Sequence, residues 1–297
     1  RMIFAFLLPL LVLSLLLGIY AVRQSSKTTR VSFDVPGYLL LVSGFVCFIF
    51  GINAASHSGW VSVRVGALFL ICLAALLLFV RHTRKTDKPL LNLDIFLKNK
   101  FTFSVLFLIL LQFVCLSIGF LLPNYAQLVM GKNPLVAGCI LLPGCVLGAV
   151  LNPFTGKLLD HCGAAVPILI GTILALCSAL LFAFYISTAS TTGLAVIYTF
   201  FAVAQGFTVG NIMTNGLRSL PNQLNADGNA VFSTFQQLAG AMGTSVVSTI
   251  VAAAQQVQAG HLAVGTSLGT QHAFMLLLAL TLVMAGCAYK AVLAPQK

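Results

Sequence analysis

Nine apolar stretches, at about 3–22, 35–55, 60–80, 101–123, 133–153, 164–186, 191–215, 229–255 and 272–293, follow one another with polar joints between them. Each approaches or exceeds the roughly 20 residues that a helix needs to cross about 30 Å of hydrocarbon. Inside hydrocarbon every backbone N–H and C=O must find its partner within the protein, which leaves helices or closed barrels. Barrel strands would run about 10 residues and alternate apolar with polar side chains. These stretches do not alternate. The expected class is therefore an all-α polytopic membrane protein with nine transmembrane helices.

The charges support that class and orient it. Only 7% of the residues are charged, and glutamate does not occur. Lysine and arginine crowd the joints after stretches 1, 3, 5, 7 and 9: Arg23, Lys27, Arg30, Arg81, Arg84, Lys85, Lys88, Lys98, Lys100, Lys157, Arg218, Lys290 and Lys297. The opposite side holds Arg1, Arg64 and Lys132. Short loops rich in Lys and Arg stay in the cytoplasm. The expected topology places the C-terminus inside the cell and Arg1 outside, in the plasma or inner membrane with the lipid bilayer as partner. The net charge of +11 is then an orientation signal. Without a compact basic domain to carry it, no nucleic-acid partner is expected. The first stretch is too long for a signal-peptide core, and Arg23 and Lys27 follow it like a stop-transfer flank. An external start at Arg1 makes the sequence read as the later portion of a longer chain.

Catalytic chemistry finds no support. Cys47, Cys72, Cys115, Cys139, Cys145, Cys177 and Cys287 lie inside apolar stretches, where free cysteine acts as a small hydrophobe. No CxxC pair occurs, and His57, His82, His161, His261 and His272 are scattered at stretch ends. Neither HExxH nor GxSxG is present. Neither an enzyme nor a metal site is expected.

The basic joint from Arg81 to Lys100 separates three stretches from six, and six is a complete helical bundle by count. Polar stripes concentrate in the six. Ser233, Gln237, Gly240, Thr244 and Ser248 recur at helical spacing, as do Gln205, Thr208, Asn211 and Asn215. Another stretch carries Ser104, Gln112, Cys115 and Gly119, then Pro123, Asn124, Tyr125 and Gln127. An amide buried in hydrocarbon without a partner costs several kcal/mol. Such faces turn either toward neighbouring helices as hydrogen-bonding glue or toward a water-filled cavity; the pattern alone leaves both open. Gly144-xxx-Gly148, Gly206-xxx-Gly210 and Ala239–Gly243 let backbones approach closely, and Pro143 predicts a kink.

The stretch Leu121-Leu122-Pro123-Asn124-Tyr125-Ala126-Gln127-Leu128-Val129-Met130-Gly131, followed by Asn133-Pro134-Leu135-Val136-Ala137-Gly138 and Leu141-Leu142-Pro143-Gly144, closely resembles the corresponding stretch of the fourteen-helix EmrB/QacA-type multidrug exporters of the major facilitator superfamily. Gly156-Lys157-Leu158-Leu159-Asp160-His161-Cys162-Gly163 is similar to the degenerate second copy of that superfamily's cytoplasmic G-x-x-x-D-R-x-G-R loop. Gln236 to Thr244 resembles its penultimate helix, Pro89–Leu93 the segment leading into the C-terminal bundle, and Arg1–Phe4 the start of its sixth helix. The resemblance implies a major facilitator fold fragment. Residues 1–22 would be the last helix of the N-terminal bundle, 23–88 two linker helices and a cytoplasmic loop, and 89–297 the six-helix C-terminal bundle. The first five helices would be the missing partner.

The resemblance further implies export driven by the proton gradient, with no other cofactor, by alternating access of two bundles around a midplane site. Gly156, Asp160 and Gly163 would form the gating loop, although His161 and Ala164 stand where that loop prefers arginine. Gln112, Asn124, Tyr125, Gln127, Asn211, Asn215 and Gln237 are the candidates for the wall of a cavity that takes small hydrophobic or amphipathic molecules. Proton coupling calls for an intramembrane carboxylate. Asp34, Asp87, Asp94, Asp160 and Asp227 lie in loops or at helix ends, which assigns that carboxylate to the missing half. Export of another solute (lipid, amino acid or siderophore) and a non-transporting membrane scaffold are the alternatives.

Overall fold

The structure, a computed structural model, describes residues 2–21, 34–58, 62–86, 93–258 and 260–292. Arg1, the basic residues Arg23, Lys27, Arg30, Lys88 and Lys297, the segment 89–92 and the expected boundaries at 22/23 and 88/89 lie outside the described residues. Those described form α helices and two short 3-10 segments, with no strand among them. The chain divides into two compact units, Arg1–Phe33 and Asp34–Lys297. The first holds α1 (Met2–Ala21), predominantly apolar, where the first of the nine stretches was expected. Among the described residues of the second, eight helical spans are long and apolar enough to cross a membrane.

Two of the eight form a hairpin, α2 (Val35–Ser58) and α3 (Val63–Thr83). Phe48 meets Phe69 edge to face with ring centroids 5.9 Å apart. At the open end of the hairpin, Asp34 accepts the Gly37 N–H at 2.9 Å and so caps α2. The same Oδ1 lies 2.8 Å from Nε2 of His82 near the end of α3. The Asp34 side chain is 4% exposed, so its charge is met by this partner rather than by water. The sequence reading gave these as linker helices; α2 also packs along α9 of the bundle described next.

The remaining six spans are α4 (Asn99–Leu128), the broken span α5 (Pro134–Cys139) with α6 (Leu142–Cys162), α7 (Ala165–Tyr185), α8 (Thr191–Leu217), α9 (Asn225–Val257) and α10 (Leu262–Val292). Helix α4 is the axis, packing on α8, α9 and α10, while α8 also takes α6 and α7 and α10 takes α7 and α9. The interior is built on fully buried Phe101, Phe107, Phe182, Phe201, Phe232 and Phe274. Phe182 of α7 stacks on Phe274 of α10 at 4.7 Å, and Phe101 of α4 meets Phe232 of α9 at 5.2 Å.

Proline decides where the fifth apolar stretch is interrupted. The kink expected within it is a break between Cys139 and Leu142, with Pro143 in the first turn of α6. That position needs no N–H from the ring, so the helix restarts there without loss. Asn133 caps α5 by accepting the Val136 N–H at 2.8 Å. Gly163 ends α6 at φ 76°, a left-handed conformation that favours glycine. Helices α6 and α8 touch backbone to backbone: a Cβ on Gly148 would lie 3.0 Å from the Ala202 carbonyl oxygen.

Candidate substrate site

Four helices bring uncharged polar side chains together. Gln112 and Cys115 are three residues apart on α4, hence on one face. Gln236 of α9 donates from Nε2 to Oε1 of Gln112 at 3.3 Å. Gln205 of α8 donates from Nε2 to Sγ of Cys115 at 3.0 Å. Two turns earlier on α8, the Tyr198 hydroxyl lies 3.7 Å from Sγ of Cys145 on α6. Gln112, Cys115, Gln205 and Gln236 are all half-buried. Gln112, Cys115 and Gln205 sit near the midpoints of their helices.

Glycine spacing on α9 is what lets these amides meet. Gln236, Gly240 and Gly243 share one face, at steps of four and three. A side chain on Gly240 would overlap Leu116, and one on Gly243 would overlap the Phe113 carbonyl and lie 2.8 Å from Ser117 Oγ. With both side chains reduced to hydrogen, α9 lies directly on α4 one turn from the Gln112–Gln236 contact.

The other expected wall residues have different surroundings. Asn211 is buried and donates to the carbonyls of Phe207 at 2.8 Å and of Thr155, across on α6, at 3.4 Å. Thr155 returns a bond to the Gly206 carbonyl at 3.1 Å. Asn215, also buried, donates to the Ala291 carbonyl of α10 at 3.2 Å. Both asparagines thus fasten α8 to its neighbours. Asn124 donates to the Phe120 carbonyl and exposed Gln127 to the Pro123 carbonyl, while Tyr125 is buried. These three lie along α4 about three to four turns beyond Gln112. Gln237 and Ser233 are exposed, and the Thr244 and Ser248 hydroxyls return to carbonyls of their own helix.

Sequence reasoning named Gln112 but passed over Gln236, Gln205 and Cys115 as site residues. Gln236 and Gln237 are adjacent, and about 100° of helical rotation separates them. The signal that distinguishes them is the register of Gln236 with Gly240 and Gly243.

At the end of the bundle that holds the expected gating loop, Asp160 Oδ1 lies 3.6 Å from Arg218 Nη2. This contact joins the end of α6 to the end of α8. Both side chains are largely exposed, which keeps the pair weak. Gly156 is helical within α6, and Lys157 Nζ stands 5.9 Å over the Phe154 ring. Among the described residues no three His, Cys, Asp or Glu side chains come together to hold a metal. The site offers neutral hydrogen-bond donors and acceptors within an apolar bundle.

The profile of the Major Facilitator Superfamily matches residues 1–244. The lincomycin resistance protein LmrB of Listeria monocytogenes is 34% identical over 255 residues, covering 86% of this chain and 54% of that protein. LmrB of Bacillus subtilis is 31% identical over 255 residues, covering 85% and 53%. A multidrug resistance protein B homolog of Mycobacterium tuberculosis is 26% identical over 260 residues, covering 84% and 47%. The chain spans about half the length of the curated relatives it matches. It is a multi-pass membrane protein and belongs to the Major Facilitator Superfamily, a family of transporters rather than enzymes.

Proposed function

We propose that this chain forms the C-terminal part of a drug exporter of the fourteen-helix type, working by alternating access and driven by the proton gradient. Two things support the reading: relatives named for lincomycin and multidrug resistance, and an uncharged polar site at mid-depth in the bundle. The observation that carries it is the convergence of Gln112, Gln205 and Gln236 from α4, α8 and α9. In this reading residues 1–22 close the N-terminal bundle, 23–88 supply the linker helices, and 89–297 form one wall of the cavity. The N-terminal bundle is the partner that completes it. The exporter sits in the cell membrane with its C-terminus in the cytoplasm, and small hydrophobic or amphipathic molecules are its substrates. Asp34 is tied to His82 and Asp160 to Arg218 at helix ends, and Asp227 stands in the first turn of α9. The coupling carboxylate is accordingly assigned to the N-terminal bundle.

The test is ethidium efflux from cells expressing the chain with its native upstream sequence. Efflux that collapses on adding a protonophore is the expected result. Efflux indifferent to the protonophore would refute proton coupling, and no efflux from correctly inserted protein would refute export of such dyes.

A further inference from the structure

Resting on the export reading, we propose that the Gln112–Gln236 pair, together with Gln205, recognises an uncharged donor–acceptor group of the carboxamide type in the exported molecule. Each glutamine amide carries two N–H donors and two acceptor lone pairs. The pair joins one N–H of Gln236 to the oxygen of Gln112, and Gln205 spends one N–H on Cys115. Among the described residues these are the bonds the three side chains make. Nε2 of Gln112 and the oxygens of Gln236 and Gln205 therefore remain for a ligand, and all three side chains are half-buried and reachable.

Two amides joined by one hydrogen bond, with a donor and an acceptor to spare between them, match a group that offers both. A ligand with a carboxamide satisfies them. A ligand of the same shape without its N–H leaves an acceptor unpaired away from water, which is costly. Rotating a glutamine amide by 180° exchanges oxygen for NH2 with little change of shape. The pair can therefore take the ligand's amide in either orientation, which suits a site open to varied molecules.

Charge points the same way. Lys100 on α4 and Asp227 on α9 are the nearest charged residues along those helices, 12 and 9 positions from Gln112 and Gln236. That is about 18 and 14 Å of helical rise. Helix α8 carries no charge between Thr191 and Leu217. This wall selects by hydrogen bonding, not by ion pairing.

The experiment measures efflux of two neutral fluorescent probes, 1-naphthylacetamide and methyl 1-naphthylacetate, from cells expressing the complete transporter. The readout is the amide-to-ester ratio within each protein, which cancels differences in expression and folding. The wild type is expected to favour the amide about tenfold, the value of one to two neutral hydrogen bonds. Gln112→Leu or Gln236→Leu should bring the ratio to about one, and Gln236→Asn should retain part of it. Either leucine variant suffices if the other fails to insert. Export of both probes without preference, or a preference that survives both leucine variants, overturns the amide assignment and leaves the export reading standing. Export of neither probe by wild-type protein that exports ethidium also overturns the amide assignment, and export of neither probe nor ethidium by inserted protein overturns the two together.

Discussion

Replacing Gly243 by alanine tests whether the contact between α9 and α4 is what holds the polar site together. The new methyl would overlap the Phe113 carbonyl oxygen and lie 2.8 Å from Ser117 Oγ. Ordinary carbon-to-oxygen contacts are about 3.3–3.6 Å, so α9 must withdraw by on the order of 1 Å. Helix α4 cannot yield, because α8 and α10 hold its other sides. Overpacking of this kind costs about 1–3 kcal/mol. The withdrawal also breaks the Gln236–Gln112 bond, which at 3.3 Å already stands near the limit for such bonds. The sum is about 3 kcal/mol, offset by about 1 kcal/mol from the better helix propensity of alanine. The control is Gly286→Ala on α10, where a methyl meets nothing within 4 Å. It gains the same propensity, so the two variants should differ by about 3 kcal/mol. At 2–4 °C per kcal/mol for a chain of this size, that is roughly 6–12 °C in Tm. The assay is thermal unfolding of the detergent-solubilised protein, followed by loss of the monodisperse size-exclusion peak. Equal Tm values for Gly243→Ala and Gly286→Ala would refute the reasoning.

Asn215→Ala removes the donor to the buried Ala291 carbonyl and should cost about 1–3 kcal/mol, whereas Gln237→Ala on the exposed face should stay within about 0.5 kcal/mol. Similar melting curves for the two would contradict the fastening role of Asn215. A double-mutant cycle on Asp34→Ala and His82→Ala should return a coupling of about 1–2 kcal/mol, since the pair closes the hairpin in a partly buried setting. Additive effects would show that the two ends stand independently. Asp160→Asn should shift stability by less than about 1 kcal/mol, and the shift should vanish in 1 M salt, because both partners are exposed. A larger, salt-resistant loss would mean the pair is better shielded than its geometry shows.

How much of this was legible in the sequence depended on whether a feature is local to one helix. Span positions follow from hydropathy alone, because a helix in lipid must satisfy its own backbone. The cap at Asn133 and the turn at Gly163 are likewise local to single helix ends. Contacts between helices are not. The stripe through Gln237, Gly240 and Thr244 has good helical spacing, yet the face that meets α4 is set by Gly240 and Gly243 and carries Gln236 instead. Asn211 and Asn215 show the same limit: their spacing marks a polar face without saying whether a carbonyl of α6 or α10 waits opposite. Asp34 and His82 are 48 residues apart. Nothing in either local sequence announces the other, and only the hairpin brings them together.

The lengths of the helices carry a consequence for the membrane itself. Helix α9 has 33 residues and α4 has 30, about 50 and 45 Å of rise, whereas α3 has 21, about 32 Å. Against about 30 Å of hydrocarbon, α3 fits almost upright while α4 and α9 must lean and push their polar ends among the headgroups. Leaning takes up length at a cost of a fraction of a kcal/mol per ångström. A thicker bilayer would therefore pull α4 and α9 upright and strain α2 and α3, which are docked on the bundle through α9. The angle between α4 and α9 is what sets the reach of Gln236 to Gln112, so bilayer thickness acts on the polar site through the two helices that build it.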